Sequence, residues 1–153
     1  MFIEALKIEF GEGTVLDAFF IDGTIVRYDM AKMFHKYPQL KALQNRDLFL
    51  SGKLDVGGYG IVWNDELDFD TMSIHEGGEV VGHWEPPLNQ WIGFLLTKTR
   101  KEQGLTQMEL SKRTGIDQGD ISKIEKGLGN PTLGKINRLF NALNKKVSFR
   151  IVQ

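Results

Sequence analysis

Apolar positions follow two rhythms along this chain. Up to about residue 85 they come in short runs broken by glycine and acidic residues. From Leu88 onward they recur three and four residues apart. In the first part, residues 2–10 (FIEALKIEF), Thr14–Ile21 and Thr24–Tyr28 read as three strands of an antiparallel meander. Gly11-Glu12-Gly13 makes the first turn, and Asp22-Gly23 makes a two-residue hairpin because both positions tolerate positive φ. Asp29 caps a short helix from Met30 to about Lys36, and Pro38 opens another through about Gln44. Phe49–Leu54 is a weak strand candidate, Ile61–Trp63 a short buried one, and Asp70 a cap for one helical turn.

In the second part, Ile92, Leu95, Leu96 and Thr99 mark the inward face of a helix from Leu88 or Asn89 to about Gln103. Thr106, with Glu109 three residues on, is a capping box for a helix to about Arg113. Gly115 supplies a sharp turn, and Asp117 caps a helix that stops near Gly127. Leu110, Ile116, Ile121 and Ile124 are the apolar positions of this pair, and Ser111 is small where the two helices meet. Thr132 caps a last helix with a buried stripe of Leu133, Ile136, Leu139, Phe140 and Leu143, terminated at Asn144. Lys145–Val152 then alternates, with Val147, Phe149 and Ile151 on one side, and reads as a strand. That strand pairs either with its own copy across a two-fold axis or with the N-terminal sheet.

These rhythms give an α+β chain. A small antiparallel-sheet domain with short helices spans 1–80, a Pro-containing linker spans 81–87, and an all-α domain with a C-terminal strand spans 88–153. Charge sharpens the division. Residues 1–85 hold 7 Lys/Arg against 15 Asp/Glu, net −8, and residues 86–153 hold 12 against 5, net +7. A basic half suits a polyanion; an acidic half is repelled by DNA unless it faces away. The absence of cysteine excludes disulfides and thiolate metal sites and fits a cytoplasmic protein. No run of about 18 apolar residues predicts a membrane span.

Candidate chemistry concentrates on the helix after Gly115. Gln118, Gly119, Ser122 and Lys123 lie near its exposed N-terminal side, where Gln118 can pair with adenine and Lys123 can donate to guanine in a major groove. Asp120 either accepts from cytosine or, the favoured role, sits in the first turn as a dipole-matched acid. Elsewhere the chemistry is thin. Asp65, Glu66, Asp68 and Asp70 lack calcium-loop spacing, and His35, His75 and His83 lack metal spacing. Trp63 and Trp84 read as packing residues. No nucleophile, base and orienting group assemble, so neither an enzyme nor a cofactor is predicted.

The stretch Leu105–Gly127 resembles the Cro/cI-type helix-turn-helix, the xenobiotic-response-element family, with the likeness covering roughly 88–143. The resemblance implies a lambda-repressor-like, DNA-binding transcription regulator acting as a homodimer on a palindromic operator. It places Gln107 as a phosphate-binding residue, makes Lys126-Gly127 and Asn130-Pro131-Thr132 the exit from the recognition helix, and implies an ion pair between Arg100 and Glu125. Gln107, Lys126 and Asn130 then position the DNA backbone. In the first part, Asp22-Gly23-Thr24 through Asp29, Gly60–Asn64 and Leu67–Asp70 resemble the domain-of-unknown-function family numbered 2442, over roughly 3–77. That family often lies beside toxin–antitoxin partners. It implies the alternative function, an antitoxin-like protein whose acidic domain binds a toxin-like partner.

Overall fold

The structure is a computed structural model that describes residues 2–153. The chain divides between Pro86 and Pro87 into two compact units.

The first unit is built on antiparallel strands. Strands β1 (Ala5–Phe10), β2 (Val15–Phe20) and β3 (Thr24–Asp29) form the meander. Alternation sets its buried face: Leu16, Ala18 and Phe20 are fully buried on β2, and Val26 and Tyr28 on β3. Register brings Leu16 opposite Tyr28 and Ala18 opposite Val26, so the same face is apolar on both strands. The β2–β3 connection differs from a two-residue hairpin. Pairing runs to Phe19 opposite Ile25, and the loop is closed by the Gly23 N–H donating to the Phe20 carbonyl at 3.0 Å. Ile21 joins the core instead of the strand, which lengthens the loop to three residues.

Between β3 and the end of the unit, caps decide the local structure. Asp29 accepts from the Ala31 N–H and starts a 3-10 turn at Met30–Met33; Pro38 opens a second at Pro38–Gln44. Helix α1 (Arg46–Leu50) takes the first two residues of the segment expected as a strand, because Asn45 accepts from the Leu48 N–H and Phe49 is buried from a helical position. Strand character is left only to β4 (Lys53–Leu54), which pairs with β5 (Gly60–Asn64), itself paired with β6 (Leu67–Asp70). Helix α2 (Thr71–Gly77) starts at Asp70, whose two carboxylate oxygens accept from the Ser73 N–H and hydroxyl.

The expected linker at 81–87 is in its first part a strand. β7 (Glu79–His83) pairs antiparallel with β3 and gives the order β1-β2-β3-β7. Trp84 continues the attachment, its indole N–H donating to the Phe20 carbonyl at 2.9 Å. Trp63 is likewise a core residue, donating to the Phe49 carbonyl at 2.9 Å and stacked on the Phe49 ring.

The second unit is helical: α3 (Leu88–Glu102), α4 (Gln107–Thr114), α5 (Gln118–Glu125) and α6 (Leu133–Ala142). Leu96, Leu110, Ile121, Leu139 and Leu143 are fully buried at its centre, ringed by Ile92, Ile116, Ile124, Ile136 and Phe140. Leu133, expected in the buried stripe, is 66% exposed because it opens α6 ahead of that face. One stripe of α3 carries the contact with α5. A Cβ on Gly93 would lie 2.5 Å from the Ile124 carbonyl oxygen, so the two backbones approach as only glycine permits.

The C-terminal strand is not formed. Asn144 turns the chain at φ 56, and the Lys145 N–H caps α6 by donating to the Phe140 carbonyl at 2.9 Å. Beyond it, residues 145–153 have no strand pairing. Val147 packs partly on the helical core, while Phe149 and Ile151 are 54% and 96% exposed. Alternation creates a strand only where another backbone supplies hydrogen bonds, and in a single chain none does.

The Asp22–His75 contact ties α2 to the turn between β2 and β3. Burial would raise the Asp22 carboxyl, but the Thr24 hydroxyl and N–H and the His75 imidazole, 2.8 Å away, outweigh it and hold the group below the usual carboxylate range. A depressed folded pKa adds stability that is present above the unfolded value, about 3.9, and is lost as pH falls through the folded one. Asp22→Asn should therefore lower stability at neutral pH and flatten its decline in acid. Urea midpoints measured from neutral to acidic pH check both effects.

Candidate nucleic-acid interface

The α4–α5 pair is set by its ends. Thr106 Oγ1 accepts from the Glu109 N–H at 3.1 Å while a Glu109 carboxylate oxygen accepts from the Thr106 N–H at 2.7 Å. The hydrogen bonds from the Thr106 backbone and hydroxyl, with Arg113 and Lys112 nearby, hold that carboxyl below its ordinary range. Gly115 ends α4 in the left-handed region at φ 72, a conformation a Cβ would disfavour. The Ser111 hydroxyl then donates to the Ile116 carbonyl at 2.6 Å, joining the two helices across the turn. Asp117 starts α5 by accepting from the Gly119 N–H at 2.8 Å.

Behind this pair lies an ion pair. Arg100 Nε and Nη2 donate to the two Glu125 carboxylate oxygens at 2.6 and 3.0 Å, and Nη1 donates to the Leu105 carbonyl at 2.7 Å. The two side chains are only 9% and 6% exposed. Helix α3 is thereby fixed to the end of α5 and to the loop that enters α4. Asn89 adds a second tie, its amide donating to the Gly127 carbonyl at 2.6 Å, and Gln103 a third, donating to the Leu143 carbonyl at 2.6 Å. Neither polar tie has a sequence signature beyond its place on the α3 stripe.

The outward residues emerge from this frame. Gln118 and Gly119 are the first two residues of α5, and Ser122 and Lys123 lie one turn later on the same side. Gly119 and Lys123 are exposed; Gln118 and Ser122 are half-buried. Lys126 caps the C-terminal end of α5, and Asn130 lies in the exposed loop before α6. Lys123 and Asn130 share a shallow depression of about 150 Å³ with Asp120 and Lys135. Asp120 stands in the first turn of α5, and its carboxylate is 3.4 Å from the Lys135 ammonium. Lys135, a basic side chain from the start of α6, is a member of this surface that periodicity did not single out.

Gln107, at the first position of α4, is engaged at both ends of its amide. Its Nε2 donates to Glu125 at 2.7 Å, and its Oε1 accepts from Gln118 Nε2 at 2.7 Å. Gln118, Gln107, Glu125 and Arg100 therefore form one continuous chain of hydrogen bonds from the surface of α5 to the interior. A second amide hydrogen of Gln107 and the free N–H groups of the first turn of α4 remain for an anion.

The first unit carries a different surface. An open cleft of about 430 Å³ is lined by Met33, Tyr37, Asp55, Tyr59 and Asp68, among others. Among the described residues, no three His, Cys, Asp or Glu side chains group as metal ligands, and no helix is long and apolar enough to cross a membrane.

A turn-linked helix pair held by a third helix, with the start of its second helix outward, defines a helix-turn-helix. The Helix-turn-helix family profile matches residues 96–149. Over 56 residues the chain is 36% identical to the uncharacterized HTH-type transcriptional regulator y4dJ of Sinorhizobium fredii, covering 37% of this chain and 73% of that protein. It is 40% identical over 52 residues to an uncharacterized HTH-type transcriptional regulator of Methanothermobacter thermautotrophicus, covering 34% of this chain and 75% of that one. The chain belongs to the helix-turn-helix family. The solved structure of NE0471 from Nitrosomonas europaea overlays at a TM-score of 0.43 and 14% identity, over 94% of this chain and 85% of that one, a likeness too loose to carry weight.

Removing one partner of the ion pair leaves a buried charge. Glu125→Ala should destabilise the second unit by about 3–5 kcal/mol, and Arg100→Met with Glu125→Leu by much less. Denaturant melts of the single and double variants measure the difference.

Proposed function

We propose that this chain is a sequence-specific DNA-binding transcriptional regulator that lays α5 in the major groove of duplex DNA. The observation that carries this is the display of Gln118, Gly119, Ser122 and Lys123 on one side of a helix whose other side is buried and braced. The two regulators it resembles over this segment support the assignment. Lys126, Asn130 and the first turn of α4 with Gln107 hold phosphates, and Gln118, Ser122 and Lys123 reach base edges. The +7 balance of residues 86–153 supplies the long-range attraction. The protein acts by binding, without catalysis or cofactor, in the cytoplasm.

One recognition helix reads only a few base pairs, so the binding species is a homodimer on a palindrome. The alternating tail supports a way to make it. Residues 146–152 of two copies paired antiparallel satisfy each other's backbone and cover Phe149 and Ile151, which the single chain leaves exposed.

A second reading concerns the first unit, which we relate to the family numbered 2442. Its net charge of −8 is repelled by phosphate and matches a basic protein, as in an antitoxin-like protein holding a toxin-like partner. Pull-down of a small basic protein by residues 1–86, with no loss of DNA affinity in the full chain, favours it.

If about six phosphates are contacted per dimer, affinity should fall about 10³-fold between ~50 and ~200 mM salt. Lys123→Ala should cost about 1–3 kcal/mol on a selected site and less on random duplex, whereas Lys126→Ala should weaken both alike. Fluorescence anisotropy on the two DNAs decides; no binding at low salt ends the proposal.

Truncation after Asn144 should convert the protein to a monomer and lower operator affinity far more than the melting temperature. Analytical ultracentrifugation would show otherwise if the shortened chain stays dimeric.

A further inference from the structure

Loop 55–60 of the first unit presents an apolar side chain on a backbone that cannot withdraw it. Asp55 Oδ1 accepts from the Gly57 N–H at 3.1 Å and from the Tyr59 N–H at 2.8 Å. The Gly58 carbonyl accepts from the Ala5 N–H at 3.0 Å and from the Thr71 hydroxyl at 2.7 Å. The Tyr59 carbonyl accepts from the Thr71 N–H at 2.9 Å. Gly58 stands at φ 68, where a Cβ would overlap the Ala5 carbonyl oxygen, so the pinned loop admits only glycine there. Val56, at its tip, is fully exposed. Tyr59 is more than half exposed, its ring braced edge-on by Phe2 at 4.3 Å. A lone exposed valine is ordinary, but one fixed in place between two residues of a cleft is a contact made ready in advance, with little left to order on binding.

That cleft is the open one of about 430 Å³, to which Asp55 and Tyr59 both belong. Tyr37 and Tyr59 give it aromatic surface, and Asp55, Asp68 and Asp70 give it carboxylates. Asp70 spends both oxygens on Ser73, and Asp55 spends Oδ1 on its own loop. Asp68 is exposed and has no partner among the described residues. Lys36 is the one cation among the described residues that line the cleft, and its ammonium lies 5.1 Å over the Tyr37 ring.

We propose that this cleft and the loop beside it are the docking surface for a basic protein, one of whose arginine side chains enters the cleft. The inference rests on the reading of the first unit as the holder of a basic partner, and it names the contact. Charge selects the class of partner, since residues 1–85 carry a net −8. The lining selects the side chain. A planar guanidinium stacks on tyrosine and gives two parallel N–H donors to a carboxylate, whereas an ammonium is a point charge that can do only part of this. Asp68 is the carboxylate free to receive it, Tyr37 and Tyr59 supply the faces, and Val56 meets apolar surface next to the arginine. Lys36 covers part of the aromatic surface in the unbound chain, and the incoming guanidinium displaces it.

Two probes of known chemistry test this on the full chain, with thermal melts confirming that each variant folds. N-acetyl-arginine amide, titrated into isotope-labelled protein, should shift the amide signals of Tyr37, Tyr59 and Asp68; the citrulline counterpart, which has the shape without the charge, should not. A fluorescent oligoarginine peptide then gives affinities by anisotropy. Asp68→Asn and Tyr59→Ala should each weaken it roughly fivefold. Glu79→Gln removes the same charge from exposed β7, a strand that does not line the cleft, and should change it little. Lys36→Ala should tighten binding several-fold, a gain that loss of structure cannot produce. Oligoarginine that binds with Asp68→Asn and Glu79→Gln equally weakened reports diffuse attraction to an acidic surface; it overturns the cleft while the basic-partner reading stands. Citrulline amide that moves the same signals as arginine amide overturns the guanidinium assignment. A chain that binds no oligoarginine overturns the basic-partner reading and the cleft together.

Discussion

Arg100 and Glu125 face each other out of water, and the geometry of the second unit follows from that fact. Taking two charges into a protein interior is costly unless each finds its full set of partners. Here Arg100 donates to both carboxylate oxygens and to the Leu105 carbonyl, and Glu125 also receives Gln107. Those partners come from α3, the loop into α4, the start of α4 and the end of α5. A shift of α5 along its axis would leave charge unpaired, whereas an apolar contact of equal area would tolerate sliding. Specific hydrogen bonding thus fixes the α4–α5 angle, and the leucines and isoleucines beneath it supply the bulk of the stabilisation.

The same helix face explains why α3 is less apolar than a core helix of its length. Asn89, Gly93, Leu96 and Arg100 recur at spacings of four, three and four and form its contact stripe. Each does a different task there: an amide tie to Gly127, a glycine that lets backbone meet backbone, a buried leucine, and the ion pair. A periodicity count that scores only apolar residues undervalues such a stripe.

This marks what could be read in the chain beforehand. Caps and turns were legible because their chemistry is local: Asp29, Asp70, Thr106, Asp117 and Thr132 each accept from a backbone N–H two or three residues on. The α+β class followed from the change in period at Leu88. What escaped depends on distant partners. β7 is a strand because β3 has a free edge, and Glu79–His83 looks like spacer without that knowledge. The tail is the opposite case: its alternation is real, but no backbone pairs with it in the single chain. Leu133 has the spacing of the buried stripe yet stands in solvent, because it is the first residue of α6 and a helix can begin outside the core. The link between Gln107 and Gln118 joins residues eleven apart across a turn, where neither helical nor strand periodicity says they meet.

Charge in the second unit is arranged by the same local rules. Of its five acids, Glu109 closes the capping box, Asp117 caps α5, Asp120 lies beside Lys135, and Glu125 is held by Arg100. These four are each matched to a helix start or a cation within their own unit, and Glu102 is exposed at the end of α3. The basic side chains are not consumed to the same degree: Lys98, Lys112, Lys123, Lys126, Arg138, Lys145 and Lys146 are all exposed. A net charge is a poor guide to a surface when its signs are mixed. Here four of the five acids have a specific partner and most of the bases are exposed, so the charge presented to solvent is predominantly positive, in line with the balance of +7.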